Sequence, residues 1–245
     1  MSFNLYPMAS DNILHQSITD MTVVLDLDST LISTQDSFDS FKNLGIMSNP
    51  KLMELKRRCY CIKLKDKESE GSRYDFWGVR RHYLEEFLLF CFNYFKYVIV
   101  WSAGQKNYVD AIVNDIFKNL RKPHLVLSYD DIDLDEEKNI YKPLTKLLKY
   151  DFCVKNKIKP NTVVFVDDNE STFEFNPKNA IFIPAFEPEL NVAAFNEMDD
   201  ALLKIKYFLL LPHVILNTDI TKVDMSTIFD NEYTDYIEMA NEYMN

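Results

Sequence analysis

The sequence predicts an α/β protein built on a doubly wound parallel sheet. Five short apolar runs are rich in β-branched or aromatic residues and are too short to be helices, which is typical of buried strands. Between several of them lie segments with apolar residues at i, i+3 and i+4, the spacing of a helix face. Alternating strands and helices with right-handed crossovers give a parallel sheet that is covered on both faces. The predicted strands are residues 21–25, 97–101, 124–128, 162–166 and 180–184.

The first strand is followed by a segment with a different pattern. Residues 31–50 show no clear periodicity and are predicted to be loop. Two strand-like runs, RRCYCIKLKD and SRYDFWGVRR, then flank the polar segment KESEG, which indicates a β-hairpin insert over about residues 56–80 rather than a second domain. Helices are predicted over residues 81–95, 107–120 and, less regularly, 143–157, and a closing helix over 196–211.

An acidic C-terminal extension, residues 212–245, is predicted to follow a domain over residues 1–211. Pro212 is expected to stop the closing helix. From Thr218 onward the chain has seven acids and one lysine, which gives −6 of the net charge of −11. The sequence is compatible with a helix carrying an apolar stripe from Ile228 to Met239, or with an acidic tail, and both alternatives stay open.

Length, composition and charge narrow the function classes. A chain of 245 residues with 47% hydrophobic content can bury one large core. It starts with no secretory signal, and its apolar runs are shorter than the roughly 20 residues that span a bilayer, so we expect no membrane partner and an intracellular location, cytoplasmic or nuclear. The four cysteines show no zinc-ligand spacing and are expected to be reduced. Without a domain-wide basic surface, a nucleic-acid partner is not expected.

Acidic and hydroxyl side chains follow three of the predicted strands. Asp26 and Asp28 end the first strand, Ser102 follows the second, and Asp167 and Asp168 follow the fourth. Because parallel strands direct their carboxyl ends into one crevice, we expect these side chains to converge. Clustered carboxylates repel one another unless a cation lies between them, and hard oxygen ligands suit Mg²⁺. The sequence therefore predicts a magnesium site.

Three motifs resemble a known family. VVLDLDSTLIST, WSAGQKNYVDAI and FVDDNESTFEFNPKNAIFI resemble motifs of the haloacid dehalogenase (HAD) superfamily and, more narrowly, of the RNA polymerase II C-terminal-domain phosphatases, also called NLI-interacting-factor-like phosphatases. Tyr108 and Asp110 have the spacing of a tyrosine and an aspartate in that family's second motif. The resemblance covers about residues 21–210 and implies a HAD-like Rossmannoid fold with no large cap domain. The segment before Lys142 is short, so we expect the small extra sheet that some members insert there to be missing.

The resemblance also implies roles for individual residues. Asp26 would be the nucleophile that forms an aspartyl-phosphate, and Asp28 the general acid and base. Ser102 and Lys142 would bind the phosphoryl group. The Mg²⁺ ligands would be Asp26, Asp28 through its backbone carbonyl, Asp167 and Asp168.

Two of these assignments have alternatives. Lys142 lies farther from Asp167 in sequence than is usual in the family, so Lys155 or Lys157 could take its place. The family's direct metal ligand aligns with Asp168 but is usually asparagine, so the choice between Asp167 and Asp168 stays open.

The expected function is that of a Mg²⁺-dependent phosphatase acting on phosphoserine or phosphothreonine, with a phosphoprotein as partner. The basic residues of the hairpin could guide such a substrate or form a solvated surface. One alternative is a polynucleotide 3'-phosphatase, because DLDSTLIST also resembles the first motif of those enzymes, although the acidic charge disfavours a polyanion. Another is a non-catalytic interaction module, against which the retained aspartates argue. The sequence does not define the oligomeric state.

Overall fold

A parallel five-stranded sheet forms the centre of the molecule. This computed structural model describes residues 17–35, 38–65 and 73–244. The five predicted strands all belong to this sheet, so the predicted doubly wound α/β fold is confirmed. The strands are β1 (Thr22–Leu25), β2 (Ile32–Gln35), β3 (Cys59–Lys65), β4 (Arg73–Arg80), β5 (Tyr97–Trp101), β6 (Leu125–Leu127), β7 (Asp133–Leu134), β8 (Ile140–Tyr141), β9 (Val163–Asp167) and β10 (Ala180–Phe182). The strand order in the central sheet is β10-β9-β1-β5-β6.

Helices cover both faces of the sheet. Along β1, Val23 and Leu25 are buried in one hydrophobic cluster, whereas Val24 is buried in the cluster on the other face. Because successive side chains are buried on opposite faces, Val23, Val24 and Leu25 are all apolar, which is why this part of the strand appears as a continuous apolar run. The helices are α1 (Phe38–Asn43), α2 (Met53–Arg58), α3 (Leu84–Tyr94), α4 (Lys106–Ile116), α5 (Leu144–Leu147), α6 (Asp151–Lys155), α7 (Val192–Asn196), α8 (Ala201–Leu209), α9 (Pro212–Ile215) and α10 (Tyr233–Met244).

The insert after β1 is larger than the predicted hairpin. Strands β3 and β4 pair antiparallel as predicted, and β2 adds a third strand on the other side of β4. The prediction of loop over residues 31–50 is therefore wrong for β2 and α1. Strand β2 is short and has few apolar residues, so its structure depends on its pairing with β4 rather than on a local pattern. No large cap domain is present among the described residues.

Three smaller differences from the predictions have local causes. Strands β7 and β8 form a ladder of two residues each before Lys142, so a minimal sheet is present where none was expected. The irregular helix predicted over residues 143–157 is divided into α5 and α6. The closing helix is α8 alone, and Pro212 starts α9, where its missing N–H leaves no hydrogen bond unmade.

The C-terminal extension packs against the main cluster. Its side chains Ile220, Ile228 and Tyr236 are buried there, and the Tyr236 ring meets Phe208 of α8 edge-on, with centroids 5.7 Å apart. Of the two alternatives left open, a helix is found, but α10 begins at Tyr233, so Ile228 at the start of the predicted stripe precedes it. The boundary at residues 211 and 212 stays a prediction. None of the helices in the described ranges has the length and apolar character needed to cross a membrane.

Candidate active site

A crevice of 330 Å³ opens at the carboxyl ends of β1, β5 and β9. Parallel strands bring their C-terminal residues to this edge, so side chains that are far apart in sequence meet here. All the residues predicted for the site line this crevice: Asp26, Asp28, Ser102, Lys142, Asp167 and Asp168.

Lys142 forms two short ion pairs at the bottom of the crevice. Its Nζ donates hydrogen bonds to Asp26 Oδ1 and to Asp167 Oδ2, both at 2.6 Å. Burial lowers the pKa of Lys142, but Asp167 and Asp26 more than offset this, so its pKa is raised and the ammonium stays charged. The alternatives Lys155 and Lys157 lie exposed on the surface. Of the three lysines considered, Lys142 is the one in contact with Asp26.

The carboxyl group of Asp26 is almost fully buried. Burial raises its pKa well above the ordinary value, Lys142 counteracts this, and Asp167 adds to it. Without a further cation, the two buried carboxylates share a single ammonium group. This arrangement favours an additional positive charge in the crevice.

Asp26, Asp167 and Asp168 form a group that can ligate a metal. Each offers a carboxylate oxygen, and these atoms lie within 4.8 Å of one another. Asp168 is held by Thr30, whose hydroxyl donates to its Oδ1 at 2.8 Å, and burial raises the pKa of Asp168. Hard carboxylate oxygens with one lysine among them fit Mg²⁺ in donor type and in charge. The side chain of Asp28 is outside this group.

The Asp28 carboxylate is held instead by hydroxyl groups. Its Oδ1 accepts hydrogen bonds from Tyr108 at 2.5 Å and from Thr34 at 2.6 Å. Burial and the nearby Asp28 charge raise the pKa of Tyr108, so its phenol stays protonated and donates. Gly104 allows the Tyr108 ring to approach, because a Cβ at Gly104 would lie 2.7 Å from that ring.

Ser102 is buried at the end of β5. Its Oγ accepts a hydrogen bond from the Gly104 amide at 3.1 Å, which fixes the turn that leads into α4. Ser102, Ala103 and Gly104 all line the crevice. A hydroxyl and backbone amides at this position are typical of a phosphate site.

Comparison with known proteins places the site in a family. The family of NLI interacting factor-like phosphatases matches residues 21–219, which contain every residue of the site. The chain belongs to this family. The predicted resemblance to the NLI-interacting-factor-like phosphatases is thereby confirmed.

Solved structures of CTD phosphatases share the fold of this NLI interacting factor-like phosphatase. Fcp1, described as an essential RNA polymerase II CTD phosphatase, is 20% identical with a TM-score of 0.52, and the match covers 69% of this chain and 43% of that chain. A variant of the fission yeast Fcp1 bound to beryllium fluoride is 19% identical with a TM-score of 0.53, and the match covers 79% and 50% of the two chains. The matches thus span half or less of the solved relatives. No curated protein sequence matches this chain significantly.

Sequence reasoning missed three hydroxyl-bearing residues of the site in this family member. The Thr30 hydroxyl donates a hydrogen bond to Asp168. The Thr34 hydroxyl donates to Asp28 and is itself hydrogen-bonded to the hydroxyl of Tyr60. Thr30 and Thr34 are part of the motif DLDSTLIST, so their closeness to Asp28 in the sequence could have identified them as residues of the site. Tyr60 gave no such signal because it belongs to the insert.

Ser29 has a backbone conformation that favours glycine. Its φ is +57°, in the left-handed region, which costs a residue with a side chain roughly 1–2 kcal/mol. We expect Ser29→Gly to have a free energy of unfolding about 1 kcal/mol higher than Ser29→Ala, measured by urea denaturation. The same pair at Ser48, which is not among the described residues with positive φ, should favour alanine or show no difference. A Ser29→Ala protein as stable as Ser29→Gly would contradict the assignment of strain.

Proposed function

We propose that this chain is a Mg²⁺-dependent phosphatase that hydrolyses phosphoserine or phosphothreonine in proteins through an aspartyl-phosphate. The observation that carries this proposal is the contact of Lys142 Nζ with Asp26 and Asp167 at 2.6 Å, beside Asp168. A buried carboxylate that lies next to an ammonium group and lines a crevice large enough for a phosphoryl group is suited to attack a phosphorus atom.

Two displacements then account for the reaction. In the first, an Asp26 oxygen attacks phosphorus, the bond from phosphorus to the seryl or threonyl oxygen breaks, and Asp28 gives that oxygen a proton. In the second, Asp28 takes a proton from water, whose oxygen attacks phosphorus and breaks the bond to Asp26. Phosphate leaves, and both aspartates return to their starting states. Lys142 and Ser102 stabilise the phosphoryl oxygens throughout.

The acidic group supports Mg²⁺ as the cofactor. Asp26, Asp167 and Asp168 are the residues proposed to hold the ion, with Asp28 through its backbone carbonyl. Asp167 already uses one oxygen for Lys142 and the other for the Asn169 amide, whereas Asp168 uses Oδ1 for Thr30. This difference favours Asp168 as a direct ligand. When bound, the ion supplies positive charge that stabilises the transferring phosphoryl group.

A phosphoprotein fits the surface better than a polynucleotide. The net charge of −11 would repel a long polyanion, whereas a single phosphorylated side chain needs only local positive charge. Solved relatives with this fold are described as phosphatases of the RNA polymerase II CTD, which is a protein substrate.

The test is phosphate release from a phosphoserine peptide and from a 3'-phosphorylated oligonucleotide, each with Mg²⁺ and with EDTA. We expect turnover on the peptide alone, a loss of at least about 10²-fold in EDTA and recovery when Mg²⁺ is restored. Turnover on the oligonucleotide alone would show a polynucleotide phosphatase. Peptide binding without turnover would show an interaction module. Full activity in EDTA would disprove the metal dependence.

A further inference from the structure

Three residues of the insert face one another across its sheet. Thr34 of β2 pairs with Gly78 of β4, and Gly78 pairs with Tyr60 of β3. Residues directly opposite in antiparallel strands direct their side chains to the same face. The middle residue of this row has no side chain, so the two outer residues can meet above it.

Gly78 makes room for the Tyr60 hydroxyl. A Cβ at this position would lie 2.3 Å from Tyr60 Oη and 2.4 Å from the Ser33 carbonyl oxygen. Glycine in the interior of a strand is unfavourable on its own and often marks such a close approach. Tyr60 is only 4% exposed, with the Arg80 guanidinium 5.7 Å from its ring centroid. The phenol is therefore fixed across β4.

The Tyr60 hydroxyl reaches the active site through Thr34. Thr34 Oγ1 lies 2.6 Å from Tyr60 Oη, from Tyr108 Oη and from Asp28 Oδ1. Both hydrogen bonds to the Asp28 carboxylate, from Thr34 and Tyr108, end on Oδ1. Among the described residues no hydrogen bond to Asp28 Oδ2 is found, which makes Oδ2 the oxygen free to exchange a proton with the substrate.

We propose that Thr34 and Tyr60 are positioning residues that hold the Asp28 carboxyl group for proton transfer to the leaving oxygen. This inference rests on the proposed function. An unheld carboxyl group at the half-buried end of a strand samples several rotamers, and two hydrogen bonds on one oxygen select a single orientation. The insert sheet is then part of the catalytic apparatus, because β3 reaches Asp28 through β2.

Substrates with different leaving groups distinguish this positioning role from a purely structural one. Seryl oxygen is a poor leaving group and needs the proton from Asp28 when its bond to phosphorus breaks. The oxygen of p-nitrophenyl phosphate leaves as a stable anion and needs little protonation. The ratio kcat/KM reports the steps up to release of the leaving group, so hydrolysis of the aspartyl-phosphate does not affect it.

The experiment compares kcat/KM on a phosphoserine peptide and on p-nitrophenyl phosphate. We expect Thr34→Val to lose about 10- to 10²-fold on the peptide and less than about 3-fold on the aryl ester. Thr34→Ser, which keeps the hydroxyl, should retain most activity on both. Tyr60→Phe should show the same pattern as Thr34→Val with a smaller loss. The matched control is Tyr97→Phe, which removes a remote phenol hydroxyl bonded to Asn156.

Several results would overturn the proposal. Equal losses on the two substrates would indicate a structural role, and no loss on either would show that the hydroxyl groups do not position Asp28. Thermal unfolding of each variant checks the fold, and Tyr60→Phe decides the matter if Thr34→Val does not fold. If the unmodified protein turns over neither substrate, the proposed function itself has failed. If the unmodified protein turns over both substrates and the variants lose activity equally on both, only the positioning role is disproved.

Discussion

Asp26→Asn is expected to lower phosphate release from a phosphoserine peptide by at least about 10³-fold, because an amide oxygen cannot replace the attacking carboxylate. The fold should survive the change. Burial already raises the pKa of Asp26 in the metal-free protein, so a neutral amide of the same shape suits the position. The measurements are steady-state turnover with Mg²⁺ and the free energy of unfolding without it.

The matched control is Asp39→Asn, which removes a carboxylate paired with Lys42 on the surface. It should change neither turnover nor the free energy of unfolding. A second readout is trapping of phosphate on the protein: denaturation during turnover should yield a phosphoryl group attached to the native chain but not to Asp26→Asn. Turnover by Asp26→Asn within tenfold of the native rate would remove Asp26 from the role of nucleophile.

Arg81→Met is expected to lower the free energy of unfolding by about 3 kcal/mol or more, because Arg81 is a buried cation with every partner provided by the fold. Its side chain is 1% exposed and forms a bidentate pair with Asp199 at 2.8 and 2.9 Å. It also donates to the carbonyl oxygens of Thr30 and Pro184, which connects the segment after β1 to the segment after β10. Removing the guanidinium takes a hydrogen bond from the carbonyl oxygen of buried Thr30 and leaves the half-buried Asp199 carboxylate without its cation.

Urea denaturation of the metal-free protein measures this effect. The matched control is Arg57→Met, because Arg57 pairs with Glu54 on the surface and should contribute less than about 0.5 kcal/mol. A double variant that also replaces Asp199 with a neutral residue should recover part of the loss, since no unpaired carboxylate would remain. A loss below about 1 kcal/mol for Arg81→Met would show that water replaces the guanidinium.

The strands and the acidic residues at their ends could be predicted from sequence because both are local signals. A buried parallel strand is a continuous apolar run, and the residues that follow it are directed to one edge of the sheet. Asp26, Ser102 and Asp167 therefore meet as expected. Lys142 was ambiguous, with Lys155 and Lys157 as alternatives, because its separation from Asp167 in sequence is longer than is usual in the family.

The hydroxyl groups around Asp28 could not be predicted because they depend on strand register. Tyr60 reaches Thr34 only because Gly78 stands between them in the three-stranded sheet. One residue of slippage would direct Tyr60 to the other face. The contact of Tyr60 with Thr34 also requires β2 to pair with β4, and β2 was expected to be loop, so the error about β2 and the omission of Tyr60 are connected.

The position of the C-terminal extension affects how the protein matures during synthesis. Every residue that lines the crevice lies at or before Thr172, whereas the main hydrophobic cluster also requires Ile220, Ile228 and Tyr236. A nascent chain that has emerged only to residue 211 can already contain the catalytic side chains, yet the apolar surface that α9 and α10 cover would still face water. Such partly made chains expose apolar surface and are prone to aggregate, so we expect the ribosome-bound intermediate to need chaperone protection until residue 236 has emerged.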